Sequence, residues 1–166
     1  NDDQFVANGS QAYMTNPGTG TKYLNVAVGF NRVDANAKSG ATNNTARFNG
    51  VGTSDLFVYN GSQTYMTNPG LGTKFLNVAF NFNDIDATAK SGGANQATFY
   101  NVKAADTVHG RNGEFRVTRA ATGAVTQAFD FDPVQAHAAS GQTVDGSDIH
   151  DIDYVFEDFG TWANLP

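Results

Sequence analysis

Apolar and polar residues alternate along this chain in short runs, and the runs recur. Leu24, Val26, Val28 and Phe30 share one face of a predicted strand, as do Leu76, Val78, Phe80 and Phe82, and then Val125, Gln127, Phe129 and Phe131. The opposite face carries Asn25, Asn77, Asn81 and Asp130, so each strand is expected to have one wet side. Two shorter β-prone runs precede it, Leu56 to Tyr59 and Thr64 to Thr67 in the middle instance, joined at Asn60-Gly61. Asn8-Gly9 and Asn112-Gly113 hold the matching places, and Asn-Gly suits the positive φ angles of a tight hairpin. After the long strand, Asn31, Asn83 and Asp132 stand where helix N-caps would, with Asp34, Asp86 and Gln135 three residues on. Pro133 fits a first helical turn, and Gly40, Gly92 and Gly141 fit helix stops. The spacing predicts a short helix that buries Val33 with Ala37, Ile85 with Ala89, and Val134 with Ala138. A closing strand follows at Thr45 to Asn49 and Ala97 to Val102, with Asp153 to Phe156 as the third instance. The predicted unit is β-β-β-α-β.

The unit repeats. Q-F-V-A-N-G-S-Q-A-Y-M-T-N-P-G, starting at Gln4, returns 52 positions later as L-F-V-Y-N-G-S-Q-T-Y-M-T-N-P-G, starting at Leu56. A third copy is fainter: Asn112-Gly113 follows Asn60-Gly61 by 52 residues, and Phe131 to Gly141 follows Phe82 to Gly92 by 49. The missing residues fall where the first two copies have their N-P-G-x-G turn. One domain with repeats 1–52, 53–104 and 105–166, the last divergent and acidic, is expected. Its fold class is mainly β, either a closed pseudo-threefold body, trefoil- or prism-like, or a short linear β stack.

Charge is uneven along the 166 residues. Residues 1–119 hold all ten Lys and Arg with eight acids, whereas residues 120–166 hold eight acids and no Lys or Arg. A polyanionic end argues against nucleic acid and anionic membrane surfaces as partners. The absence of cysteine removes disulfides and zinc-thiolate sites. No apolar run is long enough for a membrane-spanning helix, and the chain starts at Asn1, as a processed, secreted chain would.

Asp145, Asp148, Asp151, Asp153 and Asp158 cluster around a glycine, the hard oxygen donors that Ca²⁺ takes, though not at EF-hand spacing. His109, His137 and His150 show no zinc spacing, and His137 is expected to face solvent. His150, inside the acidic run, is expected to make that loop sensitive to pH. No nucleophile elbow, metalloprotease motif or phosphate loop is present, and the expectation is a non-enzymatic protein. Recurrent aromatic and amide residues suit weak multivalent glycan binding, with Tyr13 and Tyr65, Asn16 and Asn68, and the lone Trp162 as candidate ligand-binding residues. Arg111, Arg116 and Arg119, with Lys103, form a basic cluster whose expected partner is the acidic tail of the same chain or of a neighbour. Residues 85–102, I-D-A-T-A-K-S-G-G-A-N-Q-A-T-F-Y-N-V, resemble a segment found near the calcium-binding repeats of secreted bacterial toxins and proteases. The G-G-x-G-x-D nonapeptide of those repeats is missing, so no ligands carry over. The functional expectation is a secreted module that binds carbohydrate or a cell-surface polysaccharide, with Ca²⁺ as its candidate cofactor. The alternative is an extracellular structural or adhesive module that assembles with itself.

Overall fold

Alternation governs this chain further than those runs suggest. A computed structural model describes residues 2–18, 21–38, 43–61, 63–70 and 74–165, and within them every regular element is a strand. The first copy supplies β1 (Gln4–Asn8), β2 (Gln11–Thr15), β3 (Leu24–Val28), β4 (Arg32–Asn36) and β5 (Thr45–Asn49). The second supplies β6 (Leu56–Tyr59), β7 (Gln63–Thr67), β8 (Leu76–Phe80), β9 (Asp84–Thr88) and β10 (Gln96–Val102). The third supplies β11 (Thr107–Arg111), β12 (Glu114–Thr118), β13 (Val125–Phe129), β14 (Val134–Ala138), β15 (Thr143–Asp145), β16 (Phe156–Phe159) and β17 (Thr161–Ala163).

Two sheets face each other across the core. Sheet A runs β11-β12-β13-β9-β5-β1-β2-β3 and sheet B runs β16-β14-β10-β6-β7-β8-β4, while β15 and β17 pair separately. In the first two copies the chain crosses between the sheets after each meander and after each single strand, whereas in the third it leaves sheet B after β14 for β15 and returns to it at β16. In sheet A, β1, β5, β9 and β13 stack as parallel rungs, and in sheet B, β6, β10, β14 and β16 do the same. Each copy also lays an antiparallel meander into one sheet: β1–β3 into A, β6–β8 into B and β11–β13 into A. The result is a β-solenoid of about three turns. The closed threefold body, trefoil or prism, is not formed, because parallel rungs carry the copies along one axis and successive meanders fall in opposite sheets. The linear stack is the arrangement found.

The predicted helices are the strands β4, β9 and β14. A spacing of four fits a helix face and a strand face alike, since four is twice the strand period. The residue in between decides: Ala35, Ala87 and Ala136 are buried with Val134 and Ile85, giving apolar positions at i, i+2 and i+4. Asn31, Asn83 and Asp132 mark corners between sheets rather than caps. The third closing strand starts later than expected, at Phe156.

The long strands also face the other way. Their inner faces carry the small residues, Ala27, Ala79 with Asn77, and Ala128 with Thr126, because Phe side chains from neighbouring rungs fill the space. Asn77, expected to be wet, is buried and its Nδ2 donates to the Gly9 carbonyl at 2.8 Å. Alternation is then broken at one residue, Asn81 (φ 62°) and Asp130 (φ 60°), which tolerate the left-handed region. That single residue returns Phe82 and Phe131 to the core. In the first copy Gly29 (φ 76°) takes the same place, but Phe30 remains exposed.

Phenylalanine forms the axis of the core. Phe5, Phe48, Phe57, Phe99 and Phe115 follow one another with ring centroids 4.8–6.0 Å apart, mostly edge-on or tilted, each pair contributing about 0.5–1.5 kcal/mol beyond its burial. Corners are fixed by buried polar pairs. The Asp3 amide donates to Asn44 Oδ1 (3.0 Å) and the Asp55 amide to Asn95 Oδ1 (2.8 Å). Asn44 and Asn95 donate in turn to the Lys38 and Lys90 carbonyls (3.1 and 2.7 Å), so these buried amides are satisfied in matched fashion.

Candidate functional site

A cleft of about 870 Å³ lies along one lateral edge, where the chain crosses between sheets. Three corners enclose it: the β6–β7 hairpin with Tyr59, Asn60 and Thr64, the β8–β9 crossing with Asn81 and Asn83, and the β12–β13 turn from Arg119 to Ala124. The β10 end adds Asn101 and Lys103, and Phe82 and Ile85 give an apolar floor. Its size lies within the ~300–1,000 Å³ of small-molecule sites, and its lining is rich in amides and hydroxyls.

One wall is held by a buried ion pair. Arg119 and Asp106 are both almost fully buried, and Arg119 Nη1 donates to the Asp106 carboxylate. Arg119 Nε donates to Tyr59 Oη (2.8 Å), Nη1 donates also to the Asn101 carbonyl (2.6 Å), and Nη2 donates to the Tyr100 carbonyl (3.2 Å). The guanidinium also lies 4.8 Å above the Tyr59 ring. Asp106 accepts from the Lys103 and Ala120 amides (2.9 and 3.1 Å), so both charges are fully engaged. The pair fixes the bend at Asn101 (φ 57°) against the β12–β13 turn.

The opposite wall differs. Thr64 Oγ1 and Asn83 Oδ1 are both buried side-chain oxygens without a hydrogen-bond partner, and both residues line the cleft. Leaving such an atom unpaired costs about 1–3 kcal/mol. Position 64 is an inner-face position where the first copy has Ala12 and the third has Phe115, both core residues. The hydroxyl thus departs from the repeat pattern and gains nothing from packing that an apolar side chain would not give.

Of the sequence-predicted ligand residues, none lines this cleft. Asn16 and Asn68 are buried turn residues whose Oδ1 atoms accept from Gly18 (3.0 Å) and Gly70 (2.9 Å). Tyr13 lies on the outer face of sheet A beside Val6 and Val26, and Tyr65 on the outer face of sheet B beside Val58 and Val78. Trp162 packs edge-on against Phe156 at 5.8 Å and donates from Nε1 to the Phe159 carbonyl (3.1 Å). Repetition alone pointed to Tyr and Asn; of the two cleft oxygens, only the one on Thr64 departs from the repeat, with Ala12 in its place in the first copy, whereas Asn83 repeats Asn31.

The outer face of sheet B carries a second feature. His137 is sandwiched between Tyr100 (4.4 Å, interplanar 30°) and Phe159 (4.3 Å, interplanar 7°), rather than standing free in solvent. Gln96 Nε2 donates to Gln135 Oε1 (2.7 Å) and Gln135 Nε2 to Glu157 Oε2 (2.6 Å), an amide row beside the rings. Burial lowers the His137 pKa from its ordinary value. The unfolded chain therefore takes up a proton that the folded chain refuses, and stability falls as pH drops through the unfolded value near 6.5. Melting temperatures at neutral and mildly acidic pH should show this loss, and His137→Phe, which keeps a ring in the stack, should flatten it. An equal acid loss in that variant would refute the assignment.

Of the five candidate calcium ligands, Asp148 and Asp151 share one neighbour, with His150 Nε2 3.6 Å from the first and Nδ1 2.9 Å from the second. Asp145 accepts from the Ser147 amide (3.0 Å) and Asn164 Nδ2 (3.2 Å), which hold its carboxyl below the ordinary range. Asp148 lies 2.8 Å from His109 Nδ1, and that hydrogen bond is the main cause of its lowered pKa. Asp151 lies 2.9 Å from His150 Nδ1, Asp153 accepts from the Gly113 amide (2.6 Å), and Asp158 sits on β16 opposite Ala136. Among the described residues no three His, Asp or Glu side chains are placed to share a metal ion. Of the basic cluster, Arg111 approaches Asp148 in the tail at 3.7 Å, Arg116 approaches Glu114 at 3.9 Å, and Arg119 belongs to the cleft wall.

Comparisons with protein-family models, curated proteins and solved structures find no match to this chain.

Proposed function

We propose that this protein is an extracellular, non-enzymatic carbohydrate-binding module whose site is the cleft between the β6–β7 hairpin and the β12–β13 turn. The observation that carries the reading is the pair of buried, unpartnered oxygens, Thr64 Oγ1 and Asn83 Oδ1, in a cleft lined with amides and hydroxyls. Sugar hydroxyls both donate and accept, so they suit a Thr64 Oγ1 that can donate and an Asn83 Oδ1 that can only accept. The ion pair is engaged within the wall, which favours uncharged saccharides, and Phe82 and Ile85 offer the apolar floor on which a sugar ring rests. The matching place in the first copy has Ala12 for Thr64, so among the described residues one chain offers this pair of oxygens once.

A glycan array run with calcium and again with EDTA tests this. Binding of a defined class of neutral glycan in both arms supports the cleft reading. Binding confined to the calcium arm moves the site to the Asp145–Asp158 segment and makes Ca²⁺ a cofactor. Silence in both arms removes the lectin reading.

A further inference from the structure

The two ends of the solenoid are guarded differently. At the end formed by the third copy, Gly110 bridges to Ile149, β16 places Glu157 and Asp158 on the last rung of sheet B, and the β15–β17 pair lies beyond. Charged residues and covering segments of this kind keep a sheet edge from pairing. At the other end β3 is the last strand of sheet A and β4 the last of sheet B. The β3 sequence Leu-Asn-Val-Ala-Val has no Lys, Pro or acid, and Leu24, Val26 and Val28 are 60–65% exposed, with Phe30 beside them at 59%.

The chain itself records what covers such a strand. β8, nearly identical as Leu-Asn-Val-Ala-Phe, is flanked by β4, with Leu76, Val78 and Phe80 opposite Arg32, Asp34 and Asn36, and Val78 is buried. β13 is flanked by β9 in the same manner. The third strands β8 and β13 are thus closed by a fourth strand, and among the described residues β3 has none. Of the fourth strands, β9 lies between β5 and β13 and β14 between β10 and β16, so β4 is the one with an open side.

We infer that β3 pairs with β4 of a second copy of this chain, forming a closed end-to-end dimer. A twofold axis running along the strands exchanges the two sheets and brings β4 of each copy to β3 of the other. Two antiparallel ladders form at once, and the same class of strand covers Val26 as covers Val78 in the chain. The interface is isologous, and the guarded far ends stop growth, so the assembly is a dimer and not a filament. This is a different surface from the Arg-rich cluster and acidic tail, and it does not depend on the glycan reading.

Light scattering and sedimentation of the whole protein, from micromolar to millimolar concentration, should give a mass near twice 17.6 kDa that survives molar salt. Val26→Lys should return a monomer with an unchanged circular dichroism spectrum and melting curve at low concentration. Val28→Lys, placed at the strand end, should do the same and guards against a folding defect in the first variant. Hydrogen exchange should show the β3 amides protected in the dimer and released on dilution. A monomer throughout the range, a dimer dissolved by salt, or a dimer indifferent to both substitutions overturns the inference.

Discussion

Asp106→Ala lowers the unfolding free energy by about 3–5 kcal/mol, because it leaves the Arg119 guanidinium buried beside an empty position. The Lys103 and Ala120 amides lose their acceptor in the same stroke. Against a total stability of roughly 5–15 kcal/mol, that is a large fraction of what holds the fold. Asp106→Asn separates the two losses, since its side-chain carbonyl still accepts from one of the two amides while the ion pair is gone, and it should fall between wild type and Asp106→Ala. Arg119→Met should cost less than Asp106→Ala, because its stem still packs on Tyr59 and the remaining carboxylate keeps both amides. Urea unfolding followed by circular dichroism measures all three. A loss below about 1 kcal/mol for Asp106→Ala would mean that the pair is solvated in solution and does not hold the cleft wall.

Thr64→Val separates binding from stability, and the two should move in opposite directions. The substitution preserves shape and removes a buried hydroxyl that has no partner, so the free protein should gain about 1 kcal/mol. The glycan class that scores on the array should then bind at least about tenfold more weakly, the equivalent of one lost hydrogen bond of ~1.4 kcal/mol. Asn83→Ala should weaken binding as well, by removing the second oxygen. Titration calorimetry with that glycan and thermal melts of the free proteins read both effects. A stabilised Thr64→Val that binds as well as wild type would show the hydroxyl to be a tolerated packing defect, and the cleft would lose its support as a site.

Much of the fold was legible because the repeat exposes its own punctuation. Each hairpin has a positive-φ glycine, Gly9, Gly61 and Gly113, at the place the Asn-Gly pairs indicated. What misled was the four-residue spacing of Val33 with Ala37 and its counterparts, where alanine at i+2 was too weakly apolar to stand out as a strand signal beside plausible cap residues. Face assignment failed for a related reason. In a two-sheet solenoid packed with Phe, the inner positions of neighbouring strands must be small, so Ala27 and Ala79 point inward while the larger Leu24 and Leu76 do not. The cleft was out of reach because its walls come from segments more than 50 residues apart, Thr64 and Arg119 among them, and no local pattern announces which corners will meet. Arg119 itself looked like part of a surface cluster, since nothing near it in sequence shows that Asp106 and Tyr59 will enclose it.

The passage of successive meanders from sheet A to sheet B has a consequence for how such a protein can grow. One copy contains an odd number of crossings, so adding 52 residues turns the next copy over, and Tyr13 and Tyr65 end on opposite sides of the molecule. The true translational period is therefore two copies, 104 residues. A lengthened solenoid of this design would display any given surface on every second copy only, with a row of identical sites on each flank, half a period out of step.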